Sequence, residues 1–82
     1  MFDKIIPLLQ QVASDRTVPR NVRSKVENSI KVLQDSKEDI RVRIGTVIAD
    51  LDEVANDPNI PMYTRTQVWN IVTALEAMRQ QQ

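Results

Sequence analysis

The feature that most constrains this chain is that it is written twice. The stretch SDRTVPRNVRSKVENS at residues 14–29 returns 42 residues later as NDPNIPMYTRTQVWNI at residues 56–71. Sliding the sequence by 42 aligns Leu9 with Leu51, Val12 with Val54 and Ala13 with Ala55. It then aligns Asp15 with Asp57, Pro19 with Pro61, Arg23 with Arg65, Val26 with Val68, Asn28 with Asn70 and Leu33 with Leu75. Ile6 with Ile48 and Val18 with Ile60 also correspond. The repeated unit spans a helix, a corner and a helix. A unit of that size cannot bury its apolar face alone, so two copies must pack together.

Apolar residues recur at helical spacing on both sides of each corner. Phe2, Ile5, Ile6, Leu9, Val12 and Ala13 line a first face. Val22, Val26, Ile30 and Leu33 line a second; Ile40, Ile44, Val47, Ile48, Leu51, Val54 and Ala55 line a third. Val68, Ile71, Val72, Leu75 and Met78 line a fourth. Helices are expected near residues 2–14, 19–35, 37–56 and 61–79. Pro7 falls in or near the first turn of the first helix, where a missing N–H costs least. Thr17 is placed to cap helix two and Asn59 helix four, with Pro19 and Pro61 in their first turns. Ser36 and Asp39 have the S-x-x-D spacing of a capping box for helix three. Gly45 lies inside helix three at a cost of roughly 1 kcal/mol against Ala, for which a close helix crossing would account.

Short connections make successive helices antiparallel. The expected fold is therefore all-α: one domain over residues 1–82, an up-and-down four-helix bundle built from two duplicated hairpins at an offset of 42. The D-x-x-x-P-x-x-x-R corner and the period are HEAT-like. Two units, fewer than a solenoid needs, would close on each other. In this reading Asp15, Pro19, Arg23, Asp57, Pro61 and Arg65 are structural corners, each Asp accepting backbone N–H groups and each Arg reaching back to a corner acceptor.

Composition removes much chemistry. There is no Cys and no His, which excludes a disulfide framework, a Cys-bearing zinc site, a Cys nucleophile and a His base. One Gly excludes the Gly-rich phosphate loops. The charges balance, 11 basic against 11 acidic, so no global attraction to nucleic acid or to an anionic membrane operates. No apolar run reaches membrane length and the N-terminus has no signal-peptide pattern, so a cytoplasmic location is expected.

Together, TVPRNVR, ADLDEVANDPNIP and TRTQVWNI resemble a small family of archaeal proteins catalogued as uncharacterised. The similarity covers nearly the whole chain. It implies a compact helical bundle in a cytoplasmic protein. It implies no activity, so no functional residue is carried over.

Three constellations remain. Asp50, Glu53 and Asp57 share a helical face and could hold a hard cation through oxygen ligands, but a solvated acidic face accounts for them, and no metal or other cofactor is expected. Arg16, Arg20, Arg23 and Lys25 form a basic corner that could contact phosphates; neutralisation by the acidic end of helix three is the competing reading. Trp69 stands where the first copy has Glu27, turned about 100° from the core position of Val68. It either covers a groove at the bundle edge or, with Met62 and Tyr63, forms a partner-binding face. The function read from these is a non-enzymatic interaction module, binding a protein or forming a homodimer. The alternative is a nucleic-acid- or ribosome-associated factor using the basic corner.

Overall fold

The computed structural model describes residues 1–81. Its helices are α1 (Ile5–Ala13), α2 (Arg20–Gln34), α3 (Ile40–Ala55) and α4 (Met62–Gln80). Among the described residues there are no strands. Each helix packs on its neighbour in sequence, and α1 closes the ring against α4, while the diagonal pairs α1–α3 and α2–α4 stay apart. This is the pattern of a four-helix bundle with short loops.

The apolar faces expected from periodicity meet in one core. Leu9, Val26, Ile44, Val47, Leu51, Val68 and Leu75 lose essentially all solvent exposure. Burying each such side chain stabilises the fold by roughly 1.5–3 kcal/mol. Ile30, Ile40 and Met78 are only partly buried at its margin. Val18 and Ile60, which lie in the loops and outside the helical pattern, are also buried and plug the core from the corners. Buried positions in the second half recur in the first at an offset of 42. Ile44 matches Phe2, Val47 matches Ile5, Ile60 matches Val18, Thr64 matches Val22 and Ile71 matches Ser29.

The helix ends differ from the expected ones, for local reasons. Helix α1 starts at Ile5 because the Phe2 carbonyl already accepts the N–H groups of Ile5 (3.1 Å) and Ile6 (2.9 Å). Pro7 then sits in the first turn, where a missing N–H costs least. Helix α3 starts at Ile40, not near 37. Asp39 is its N-cap, accepting from the Arg41 N–H at 2.8 Å, so the capping box that paired Ser36 with Asp39 is not the device used. Thr17 and Asn59 do not cap their helices. Pro19 and Pro61 occupy the N-cap positions themselves, in extended conformation and just outside the first turn.

Gly45 has no close helix crossing over it. A Cβ placed there would meet only the Arg79 guanidinium, at an ordinary 3.6 Å. None of the described residues has a positive φ, so these corners turn without the left-handed glycine that commonly ends a helix. Something else must satisfy the last carbonyls of each helix.

Candidate functional site

That role falls to the corners, which are built alike three times rather than twice. At each, an Asp carboxylate accepts the N–H two residues on: Asp15 from Thr17 (2.9 Å), Asp35 from Lys37 (3.1 Å) and Asp57 from Asn59 (2.8 Å). Four residues after each Asp comes an extended N-cap: Pro19, Asp39 and Pro61, with ψ of 148°, 138° and 153°. Four residues further comes an arginine: Arg23, Arg43 and Arg65. Arg65 donates from Nε to the Ala55 carbonyl (2.8 Å) and from Nη2 to the Asp57 carbonyl (3.0 Å). Arg43 donates from Nη1 to the Leu33 carbonyl at 2.8 Å, also ten residues back. Both close the C-terminus of the preceding helix, where exposed carbonyls and the helix dipole favour a cation.

The middle corner was missed by the sequence reading because its N-cap is Asp39 instead of Pro. The eight-residue Asp35-to-Arg43 spacing was the available signal. Arg23 departs from the other two: it closes no carbonyl of the preceding helix, although its Nε, like that of Arg43, is buried without an acceptor, and its charge acts on Asp15.

The first corner carries a further link. Tyr63, at the start of α4, donates its hydroxyl to Asp15 Oδ2 (2.8 Å) and lies 2.8 Å from Thr17 Oγ1. Thr17 in turn donates its hydroxyl to Asp15 Oδ1 (2.7 Å). Hydrogen bonds from the Thr17 hydroxyl, the Thr17 amide and Tyr63 hold the Asp15 carboxyl below its usual range, with help from Arg23. Tyr63 thus joins the first corner to α4, a role that its position beside Met62 did not disclose.

The four residues of the basic corner are divided by the fold. Arg16 and Arg20 are exposed. Arg23 is half-buried, near enough for its charge to act on Asp15. Lys25 is paired with Glu53 of α3, which raises the Lys25 pKa. The acidic face of α3 therefore supplies a counter-ion to α2. No group of three or more acidic side chains among the described residues is arranged to hold a metal ion.

The remaining candidate surface is the outer face of α4. Met62 is 67% exposed, Tyr63 54% and Trp69 52%. Met62 and Trp69 are two turns apart and, with Thr66 and Thr73, make an exposed stripe without charge. The Thr73 hydroxyl donates to the Trp69 carbonyl (3.0 Å), so it is turned inward along the helix. About half of Trp69 faces solvent, and its counterpart Glu27 is exposed in the first half.

Comparison with known proteins covers nearly the whole chain. The family model described as "Uncharacterised protein family (UPF0147)" matches residues 1–78. A UPF0147 protein of Methanothermobacter thermautotrophicus is 44% identical over 79 residues, covering 96% of this chain and 78% of the relative. One from Metallosphaera sedula is 45% identical over 74 residues, covering 90% of this chain and 83% of the relative. Among solved structures, one of a UPF0147 protein from Thermoplasma acidophilum superposes with a TM-score of 0.89 at 40% identity, covering 94% of this chain and 91% of that one. The unknown-function protein MMP1188 superposes with a TM-score of 0.85 at 40% identity, covering 92% and 85%. An all-helical, four-helix chain matched in sequence over nearly its whole length in this way is a member of the UPF0147 family.

Proposed function

We propose that this protein is a non-enzymatic interaction module that meets a protein partner through the outer face of α4, with a second copy of the chain as the first occupant to test. The observation that carries this is Trp69. A large apolar side chain replaces the glutamate of the first half, stays half exposed, and lies on an uncharged stripe with Met62. Exposed Trp and Met are characteristic interface anchors.

The rest of the molecule fits a scaffold. The matched burial at an offset of 42 and the common corner support a duplicated, HEAT-like hairpin. No described helix is long and apolar enough to cross a membrane, in keeping with a cytoplasmic role. The alternative, phosphate contact at the first corner, retains Arg16 and Arg20. It is weakened by the pairing of Lys25 with Glu53 and by the partial burial of Arg23.

Sedimentation velocity of the wild type and Trp69→Glu tests the reading. The substitution restores the first-half residue at an exposed position, so the bundle should stay folded while association is lost. Wild type at the mass of two chains and variant at one is the expected result. Equal monomers would remove the homodimer, and an unfolded variant would place Trp69 in the core. A nucleic-acid titration separates the alternative, which requires binding that falls steeply with salt.

A further inference from the structure

The second corner differs from the third in one respect that has chemical content. Arg65 uses its Nε and Nη2 edge on two carbonyl oxygens. Arg43, its counterpart in the corner pattern, reaches the matching carbonyl through Nη1 instead. Its Nε is left buried without an acceptor. Beside this guanidinium lies an open cleft of about 560 Å³, between the N-terminal segment, the end of α2 and the start of α3. Its walls include Phe2, Ile6, Leu33 and Ile40, and Arg43 stands with its charge 5.9 Å from the Phe2 ring centroid. The volume falls within the roughly 300–1,000 Å³ of small-molecule sites, and apolar walls with few polar groups are their usual lining.

We propose that this cleft is a binding site for a small monocarboxylate with an apolar body. The carboxylate engages the Arg43 guanidinium, and the hydrocarbon covers Phe2, Ile6 and Ile40. A neutral apolar ligand would leave the guanidinium donors unmatched in a desolvated wall, which is costly. An inorganic anion would leave the apolar walls uncovered. Asp3 stands at the rim, its side chain 99% exposed and 3.9 Å from the Met1 ammonium. The two rim charges offset each other, and Arg43 is left as the one cation facing a ligand among the described residues, enough for a single carboxylate. A bond to Nε requires the guanidinium to turn its Nε edge toward the cleft, a side-chain movement that leaves the backbone in place. Arg23 also has an unmatched Nε, but it lines no apolar cleft, and the Asp15 carboxylate is near enough for the two charges to act on each other. The proposal is independent of the α4 face and stands or falls separately from it.

Methyl and amide NMR titration of the full chain with octanoate, octanol and inorganic phosphate tests it. Octanoate should give saturable shifts at Phe2, Ile6, Leu33 and Ile40. Octanol should bind about tenfold more weakly, for want of a charge-assisted bond, and phosphate should leave these signals unmoved. Arg43→Met should bring octanoate down to the affinity of octanol. Should that variant fail to fold, Asp3→Asn decides, because the side chain is exposed and its loss leaves the bundle intact. It should tighten octanoate roughly twofold by removing like charge. Absence of saturable shifts, octanol binding as well as octanoate, or an octanoate affinity unmoved by Asp3→Asn overturns the proposal.

Discussion

Substituting the three corner arginines one at a time should give a graded loss of stability, and the grading follows from their hydrogen bonds. Arg65→Ala removes two bonds from a charged, half-buried donor and leaves the Ala55 and Asp57 carbonyls at the end of α3 without it. A hydrogen bond to a charged group contributes about 1.5–3 kcal/mol. Water re-solvates part of a half-buried corner, so the loss should be about 2–4 kcal/mol rather than the full sum of two bonds. Arg43→Ala removes one such bond and a long cation–π contact with Phe2, together about 1.5–3 kcal/mol. Arg23→Ala removes no bond to a corner carbonyl and should cost least of the three, since its charge acts only weakly on Asp15. At roughly 0.05–0.15 kcal/mol per residue the whole fold is worth on the order of 4–12 kcal/mol, so Arg65→Ala endangers it while Arg23→Ala does not. Urea denaturation followed by circular dichroism, with m-values held in common, reads all three. Equal losses, or Arg23→Ala as the costliest, would refute the view that these arginines act by closing helix C-termini.

Further expectations follow from single side chains. Gly45→Ala should stabilise the fold by about 0.5–1 kcal/mol, visible in thermal melts as a rise of roughly 2–8 °C, because the new Cβ meets only Arg79 at ordinary distance. The Thr64 hydroxyl is buried without a partner, and the matching position holds Val22, so Thr64→Val should raise the denaturation midpoint by the equivalent of about 1 kcal/mol. The Asp15 carboxyl is held below its unfolded value, so its contribution is present above that value, near 4, and is lost as pH falls through the lower folded one. Tyr63→Phe should therefore flatten the acid limb of the stability profile, measured by urea titration between about pH 2 and 5.

How far the sequence could be read depended on the range of each signal. Four helices and most of their buried faces were legible because Leu9, Leu51 and their neighbours repeat at the helical period, which needs no knowledge of tertiary contacts. Val18 and Ile60 were placed by the repeat but not recognised as core, since a lone apolar residue in a loop has no periodicity. The corner pattern was legible where proline marks it, and illegible at Asp35–Arg43, where a capping aspartate does the same backbone work. Gly45 invited a packing explanation that the open space around it does not support. Of the candidate site, the exposure of Met62 and Trp69 followed from wheel position. The Lys25–Glu53 pair was visible only as a juxtaposition of charged segments, and the Tyr63 hydrogen bonds depend on two corners 46 to 48 residues apart, a distance no local pattern spans.

The Tyr63 link has a consequence for the order in which the bundle comes apart. Helix α1 has nine residues, fewer than an isolated helix needs to persist in water. It is held by α2, by α4 and, at its far end, by the hydrogen bonds that Tyr63 makes to Asp15 and Thr17. Those bonds lie at the surface, open to competition from water. The opening unit of lowest free energy is thus α1 with its corner, swinging away from a remnant of α2, α3 and α4 whose two internal corners stay fastened by Arg43 and Arg65. Such a hinged opening would uncover the inner faces of Leu9 and Val12 without unfolding the rest, a reservoir of apolar surface set behind a phenol latch.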